Sequence, residues 1–239
     1  MRFGFVGAVT AVAIAMSPMV VSANTVTLQQ TNPDDLYDGV DPLSVSVRAP
    51  EPIGRVNASI GAFRLTDSVN NFLAFCASLA DVLAVPAEYT VTQTPFENRE
   101  ILSEGVRTRI QTLFDQSYSI ALTNDTNDSA AFQLALWNIL IDTNDTVTSG
   151  AFRYRNPDPD VAARADAFLA ALNLGPDEVV EQQWILTYWE AADEEGNVGV
   201  PGSQNLITAA PIPLPAAAWM LLGALAAVAG VSRVRRRTA

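Results

Sequence analysis

The chain has 239 residues, with 26 acidic residues against 14 basic ones, no histidine and one cysteine. All acidic residues lie between Asn24 and Asn205, where nine arginines against 26 acidic residues leave a net charge of −17, which disfavours binding to nucleic acid or to anionic lipid surfaces. The lack of histidine excludes Ser/His/Asp and Cys/His triads and removes the commonest zinc ligand, so we predict no metal, no cofactor and no conventional enzyme.

The N-terminal segment has the features of a secretory signal. Arg2 precedes an apolar run over residues 3–16, and small residues up to Ala23 suit signal peptidase. We therefore predict that residues 1–23 are removed after Ala23 and that the rest of the chain is exported through the inner membrane.

The next part of the chain has strand-like patterns. Alternation of polar and apolar residues predicts strands near 25–28, 43–47, 61–66 and 89–92. The stretch from Asn71 to Leu79 is apolar without a clear period. It contains the single cysteine, Cys76, which has no partner for an intramolecular disulfide.

Helical patterns and capping signals then predict three helices. The first begins at the capping box Thr94-Pro95-Phe96-Glu97, the second follows a cap at Asp128 or Ser129 and covers 130–141, and the third begins at Asp158-Pro159 and ends at Leu174-Gly175.

The last strands are predicted at 183–188 and, as an edge strand, at 204–208. Strands at both ends with about three helices between them predict one α+β domain over residues 24–208. A segment of this length suits one domain with a substantial core.

The second helix is apolar around nearly its whole circumference, which predicts that it is buried. Gln133 lies among large apolar side chains of this helix, so its carboxamide should be buried too. A buried amide without a hydrogen-bond partner costs about 1–3 kcal/mol, and Gln133 therefore needs a partner.

Two short segments resemble the thioester domains of bacterial surface proteins. They are Phe72-Leu73-Ala74-Phe75-Cys76 and Phe132-Gln133-Leu134-Ala135-Leu136-Trp137. In that family a cysteine thiol is acylated by a glutamine side chain, and a partner amine then attacks the bond. The resemblance implies that Cys76 is the thiol, that Gln133 is the acyl donor, and that Phe75 and Trp137 shield the bond from water.

Two alternatives remain open. Cys76 can be a small core residue and Gln133 a hydrogen-bonded core amide, in a passive envelope or biofilm-matrix module without covalent chemistry. The second alternative is an enzyme that acts on polysaccharide through carboxylates such as Asp193, Glu194 and Glu195. The chain contains no lysine, which fits amine chemistry, although an arginine-favouring genome explains it as well.

The C-terminal segment, residues 209–239, combines a proline-rich break, an apolar run over 216–231 and a terminal arginine cluster. It resembles the Val-Pro-Leu-Pro-Ala class of tails that exosortases recognise. The residues that carry the resemblance are Pro213, Leu214, Pro215, Arg235, Arg236 and Arg237. The apolar run itself predicts a transmembrane helix at 216–231 with the arginines on the cytoplasmic side. The resemblance implies processing by exosortase and delivery to the cell surface or extracellular matrix, and an ordinary C-terminal anchor that is never processed is the alternative. For the domain, surface amines or polysaccharide are the expected partners in adhesion.

Overall fold

The computed structural model describes residues 25–37, 39–92, 96, 102–123, 125–174, 179–192 and 203–213. The signal peptide predicted at 1–23, the carboxylates at 193–195 and the predicted transmembrane helix at 216–231 lie outside these residues. Within the described ranges, no helix combines the length and apolar character needed to cross a membrane.

Strands and helices both contribute to the described part of the chain, which confirms the α+β class. The strands are β1 (Thr25–Gln30), β2 (Leu43–Arg48), β3 (Arg55–Ile60), β4 (Phe63–Thr66), β5 (Asn71–Cys76), β6 (Ala87–Thr92), β7 (Arg153–Arg155), β8 (Trp184–Ala191) and β9 (Leu206–Pro211). The helices are α1 (Glu104–Ala121), α2 (Thr126–Ile141) and α3 (Pro159–Ala170). The sequence pattern does not predict β3 or β7, and β7 separates α2 from α3.

Six strands form a closed antiparallel barrel in the order β1-β4-β5-β9-β8-β6, and β3-β2-β7 form a second sheet. The strand β9 pairs with both β5 and β8, in registers that include Cys76 with Leu206 and Trp189 with Leu206. The last strand predicted at 204–208 is present as Leu206–Pro211, but the prediction that it lies at an edge of the sheet is wrong. Leu206 and Ile207 are fully buried because neighbours cover β9 on both sides.

The strand β5 ends in three consecutive buried residues, Ala74, Phe75 and Cys76. Since successive side chains of a strand point to opposite faces, both faces are covered there. This explains why the sequence shows no alternation in the segment that carries the cysteine.

The helix α2 lies in the core between α1 and α3, and its predicted burial is confirmed. Gln133 is 1% exposed and Asn138 is fully buried. The cap is Asp125, whose side chain accepts from the backbone N–H groups of Asn127 and Asp128 at 2.8 and 3.1 Å, so the helix begins four residues before the predicted Ala130.

The other two helices differ from prediction at one end each. Ser103 caps α1 by accepting from the backbone N–H of Val106, so this helix begins at Glu104 and not at the Thr94 capping box. Phe96, within that box, is buried and packs edge-on against Tyr188. The helix α3 begins at Pro159 after the Asp158 cap, as predicted, and ends at Ala170, four residues before Leu174.

Candidate functional site

The side chain of Gln133 is bound to the backbone of Cys76. The backbone N–H of Cys76 donates to Gln133 Oε1 at 2.8 Å, and Gln133 Nε2 donates to the carbonyl oxygen of Cys76 at 2.9 Å. Both residues are buried, at 3% and 1% exposure. The carboxamide therefore lies against the residue that carries the thiol, although 57 positions separate the two in the chain.

The end of β5 explains why a helix glutamine occupies this position. The pairing of β4 with β5 ends at Phe63 and Ala74, so no β4 residue pairs with Cys76. Just before β4, the backbone N–H of Ala62 instead donates to Ser129 Oγ, on α2, at 2.7 Å. The carboxamide of Gln133 supplies the donor and acceptor that a neighbouring strand would otherwise provide.

The thiol of Cys76 points to a different partner. Its Sγ donates to Gln204 Oε1 at 2.8 Å and lies 3.4 Å from the carbonyl oxygen of Ser78. Burial raises the pKa of Cys76 to about 12; the backbone of Ser78 and the nearby indole of Trp137 lower the pKa, and the charge of Asp81 raises it slightly further. The sulfur is therefore protonated at neutral pH.

Trp137 lies one helical turn beyond Gln133, on the same face of α2. It is 3% exposed and borders the same cleft as Cys76 and Gln133. Phe75 does not line that cleft. Because it is the neighbour of Cys76 in β5, its ring points to the other face, where it contacts Phe132 with centroids 4.6 Å apart. Trp137, and not Phe75, is in position to cover a bond between the two side chains.

A buried polar segment, Ser203-Gln204-Asn205, completes the site and is missed by sequence reasoning. All three residues are at most 5% exposed. Ser203 Oγ accepts from the backbone N–H of Ala84 and donates to Tyr89 Oη, both at 2.9 Å. No local signal marks this segment, since a polar run before an apolar strand has the same appearance as a surface turn.

The hydrogen bonds of Asn205 join this segment to the end of β5. Its backbone N–H donates to Ser78 Oγ at 2.8 Å, and its carbonyl oxygen accepts from the backbone N–H of Ala77 at 2.8 Å. The side-chain Oδ1 accepts from Ala191. These contacts hold Gln204 beside the thiol.

A cleft of about 270 Å³ opens onto the thiol and the carboxamide. Its walls are largely apolar and include Tyr37, Ile60, Phe63 and Leu79. The half-buried Asp81 also borders the cleft, and its charge adds a small contribution to the raised pKa of Cys76, which is due mainly to burial. The cleft can therefore admit an extended aliphatic group with a positively charged end.

A thiol and a carboxamide border this cleft, and these are the two groups that an acyl transfer from nitrogen to sulfur would need. When a thiol and a carboxamide are held together, the sulfur can replace nitrogen on the carbonyl carbon, and the nitrogen leaves as ammonia. Among the described residues, no group of three or more His, Cys, Asp or Glu side chains is placed to hold a metal ion.

Of the predicted sorting residues, Pro213 is exposed just after β9, and Leu214, Pro215, Arg235, Arg236 and Arg237 lie outside the described residues.

The geometry comprises a buried thiol, a carboxamide clamped to its residue, a covering tryptophan and an open cleft. Comparison with known proteins adds no relative to this description. No family model, curated protein or solved structure matches the chain.

Proposed function

We propose that this chain is an exported surface protein that attaches covalently to amines through a thioester between Cys76 and Gln133. The observation that carries the proposal is the pair of hydrogen bonds that holds the Gln133 carboxamide against Cys76. The sequence resemblance to thioester domains supports the same two residues. Each chain would attach only once and would not turn over as an enzyme does, because its acyl donor, Gln133, is consumed in the reaction.

The first step forms the thioester. Cys76 Sγ attacks Gln133 Cδ, the bond from Cδ to Nε2 breaks, and the proton of the thiol leaves with Nε2 as ammonia. Because the pKa of Cys76 is raised by burial, the proton has to leave as the sulfur attacks. Holding both groups in one place provides much of the drive for such a step.

The second step transfers the acyl group to the partner. An amine attacks Gln133 Cδ, the bond to sulfur breaks, and one amine proton returns to Cys76. The product is an amide that joins Gln133 to the partner, with the thiol free again. An aliphatic amine such as a lysine side chain fits the apolar cleft, and the absence of lysine means that copies of this chain offer no lysine amine to one another.

Asp81 is expected to concentrate cationic amines at the cleft. For Asp81→Asn we expect the rate of methylamine consumption to fall roughly two- to fivefold at low salt, because a carboxylate near the path attracts the methylammonium ion. The difference should shrink in high salt. The measurement is the rate of mass gain, with neutral hydroxylamine as a second nucleophile and Asp34→Asn as a matched surface variant. An equal loss of rate with hydroxylamine would contradict an electrostatic role.

Intact-mass measurement of the purified, exported protein tests the proposed function. We expect the chain to be lighter than its sequence by one ammonia, and methylamine to add to it with a stoichiometry of one. Cys76→Ala should have the mass of its unmodified sequence and should not react. A wild-type chain of full sequence mass that is inert to methylamine would refute the proposal.

One observation favours a passive surface module as the second candidate. Gln133 and Cys76 satisfy each other's hydrogen bonds without a covalent bond, so the contact is sufficient as core structure. This module would be delivered by the same signals and would bind envelope or matrix material without acyl transfer. The intact mass separates the two candidates.

Delivery is part of the proposal in either case. The signal at 1–23 and the tail at 209–239 would bring the protein to signal peptidase, the inner membrane and exosortase in turn. The exposed position of Pro213 after β9 is compatible with access to the tail by a processing enzyme.

A further inference from the structure

Gln204 is in direct contact with the reacting sulfur, and neither the sequence resemblance nor the proposed acyl transfer assigns it a role. Its Oε1 accepts the thiol proton of Cys76 at 2.8 Å, and the residue is 5% exposed. An amide oxygen accepts hydrogen bonds but does not take up a proton near neutral pH. Gln204 can therefore orient the thiol without acting as its base.

We propose that Gln204 is the positioning residue of the site, first for the thiol and then for the attacking amine. This inference rests on the proposed function. Before the thioester forms, Gln204 Oε1 accepts the hydrogen bond of the S–H and fixes the position of the sulfur in the residue to which the Gln133 carboxamide is bound. The thiol proton still leaves with ammonia, and Gln204 stays neutral throughout.

Acylation of the sulfur removes the hydrogen that Gln204 Oε1 accepts. A buried acceptor without a donor is unfavourable, and the N–H of an incoming amine can restore the hydrogen bond. A primary amine has one N–H for this contact both during attack and in the amide product. A secondary amine leaves no N–H in the product, so Gln204 selects for primary amines.

The segment around Gln204 is held by groups that a side-chain substitution leaves in place. Its own backbone carbonyl accepts from Tyr89 Oη at 2.9 Å, and its neighbours Ser203 and Asn205 make separate hydrogen bonds. Gln204→Leu removes the oxygen at similar size, and Gln204→Glu keeps an oxygen acceptor at the same distance along the side chain. Ser203→Ala is the matched control, because it disturbs the segment and leaves the contact to sulfur.

The test uses the full-length exported protein and two readouts. The first is the fraction of chains that are one ammonia lighter, followed over time. We expect the thioester to form about tenfold more slowly in Gln204→Leu, which is the size of effect that one lost hydrogen bond produces. In Gln204→Glu and Ser203→Ala, we expect the rate of thioester formation to be close to that of the wild type. The second is the ratio of rates with methylamine and dimethylamine, which should fall about tenfold in the Gln204→Leu chains that carry the bond.

A loss of fold alone would not move the amine ratio, because the size difference between the two amines is the same in every variant. Formation at the wild-type rate with an unchanged ratio in Gln204→Leu would overturn the role of Gln204 and leave the thioester intact. Slow formation in Ser203→Ala to the same degree would also overturn it. A wild-type chain that never loses ammonia would instead refute the proposed function itself, and this inference with it.

Discussion

Treatment with methylamine is expected to lower the Tm of the protein by roughly 8–16 °C. The covalent link that we propose between Cys76 and Gln133 would close a loop of 57 positions. By analogy with a disulfide, a loop of that size stabilises the folded chain by about 4 kcal/mol, mainly by restricting the unfolded chain. In a chain of this size about 1 kcal/mol changes Tm by roughly 2–4 °C. Cleavage by the amine removes that restriction, and thermal unfolding followed by circular dichroism measures the change.

Cys76→Ala provides the control for this prediction. It cannot form the link, so its Tm should start low and should not respond to methylamine. Trimethylamine, which cannot form a stable amide, controls for the effect of the added salt on the wild-type chain. A wild-type Tm that stays constant while the mass shows complete reaction would contradict the expected stabilisation by loop closure.

Phe132→Ala is expected to reduce the free energy of unfolding by about 3–5 kcal/mol, the range found for removal of a buried aromatic ring. The ring is fully buried next to Gln133. It contacts four aromatic rings, from β5, α1 and α3, which are those of Phe75, Phe114, Tyr118 and Phe168. The ring is enclosed by these contacts, so we expect a cavity to add to the loss of apolar burial.

Urea denaturation, with the change of midpoint converted by the slope, measures this effect. The measurement should be made in a Cys76→Ala background, so that core packing is separated from the covalent link. The matched variant is Ile120→Ala, whose side chain on α1 is 40% exposed and should cost far less. A Phe132→Ala chain as stable as Ile120→Ala would show that the aromatic cluster does not hold α2 in place.

The predictable part of the site comes from local patterns. The sequence of α2 is apolar on all sides, and this alone places Gln133 in the core and requires a polar partner for it. The start of α3 follows from an Asp-Pro pair that fixes the cap and the first helical residue. These features depend on residues within one or two helical turns, so they can be found without knowledge of the rest of the chain.

The parts that escape prediction depend on distant partners. Gln204 faces the thiol because β9 pairs with β5, and the two residues in contact are 128 positions apart. The position of β9 inside the barrel also depends on distant partners, because β9 pairs with β5 and β8. Both Thr94 and Ser103 are residue types that can cap a helix, and α1 begins after Ser103. The burial of Phe96 against Tyr188 is a tertiary contact, which the local pattern around Thr94 cannot predict.

The position of β9 between two antiparallel neighbours has a mechanical consequence. Tension applied at Pro213 would run along β9, and the hydrogen bonds to β5 and β8 would have to shear together instead of opening one after another. The bond from the backbone N–H of Ile212 to the carbonyl oxygen of Gln183 would take the load first. Gln204, just before the opposite end of the strand, would bear the load last, so tension on the tail would reach the sulfur of Cys76 only after the strand itself has slipped.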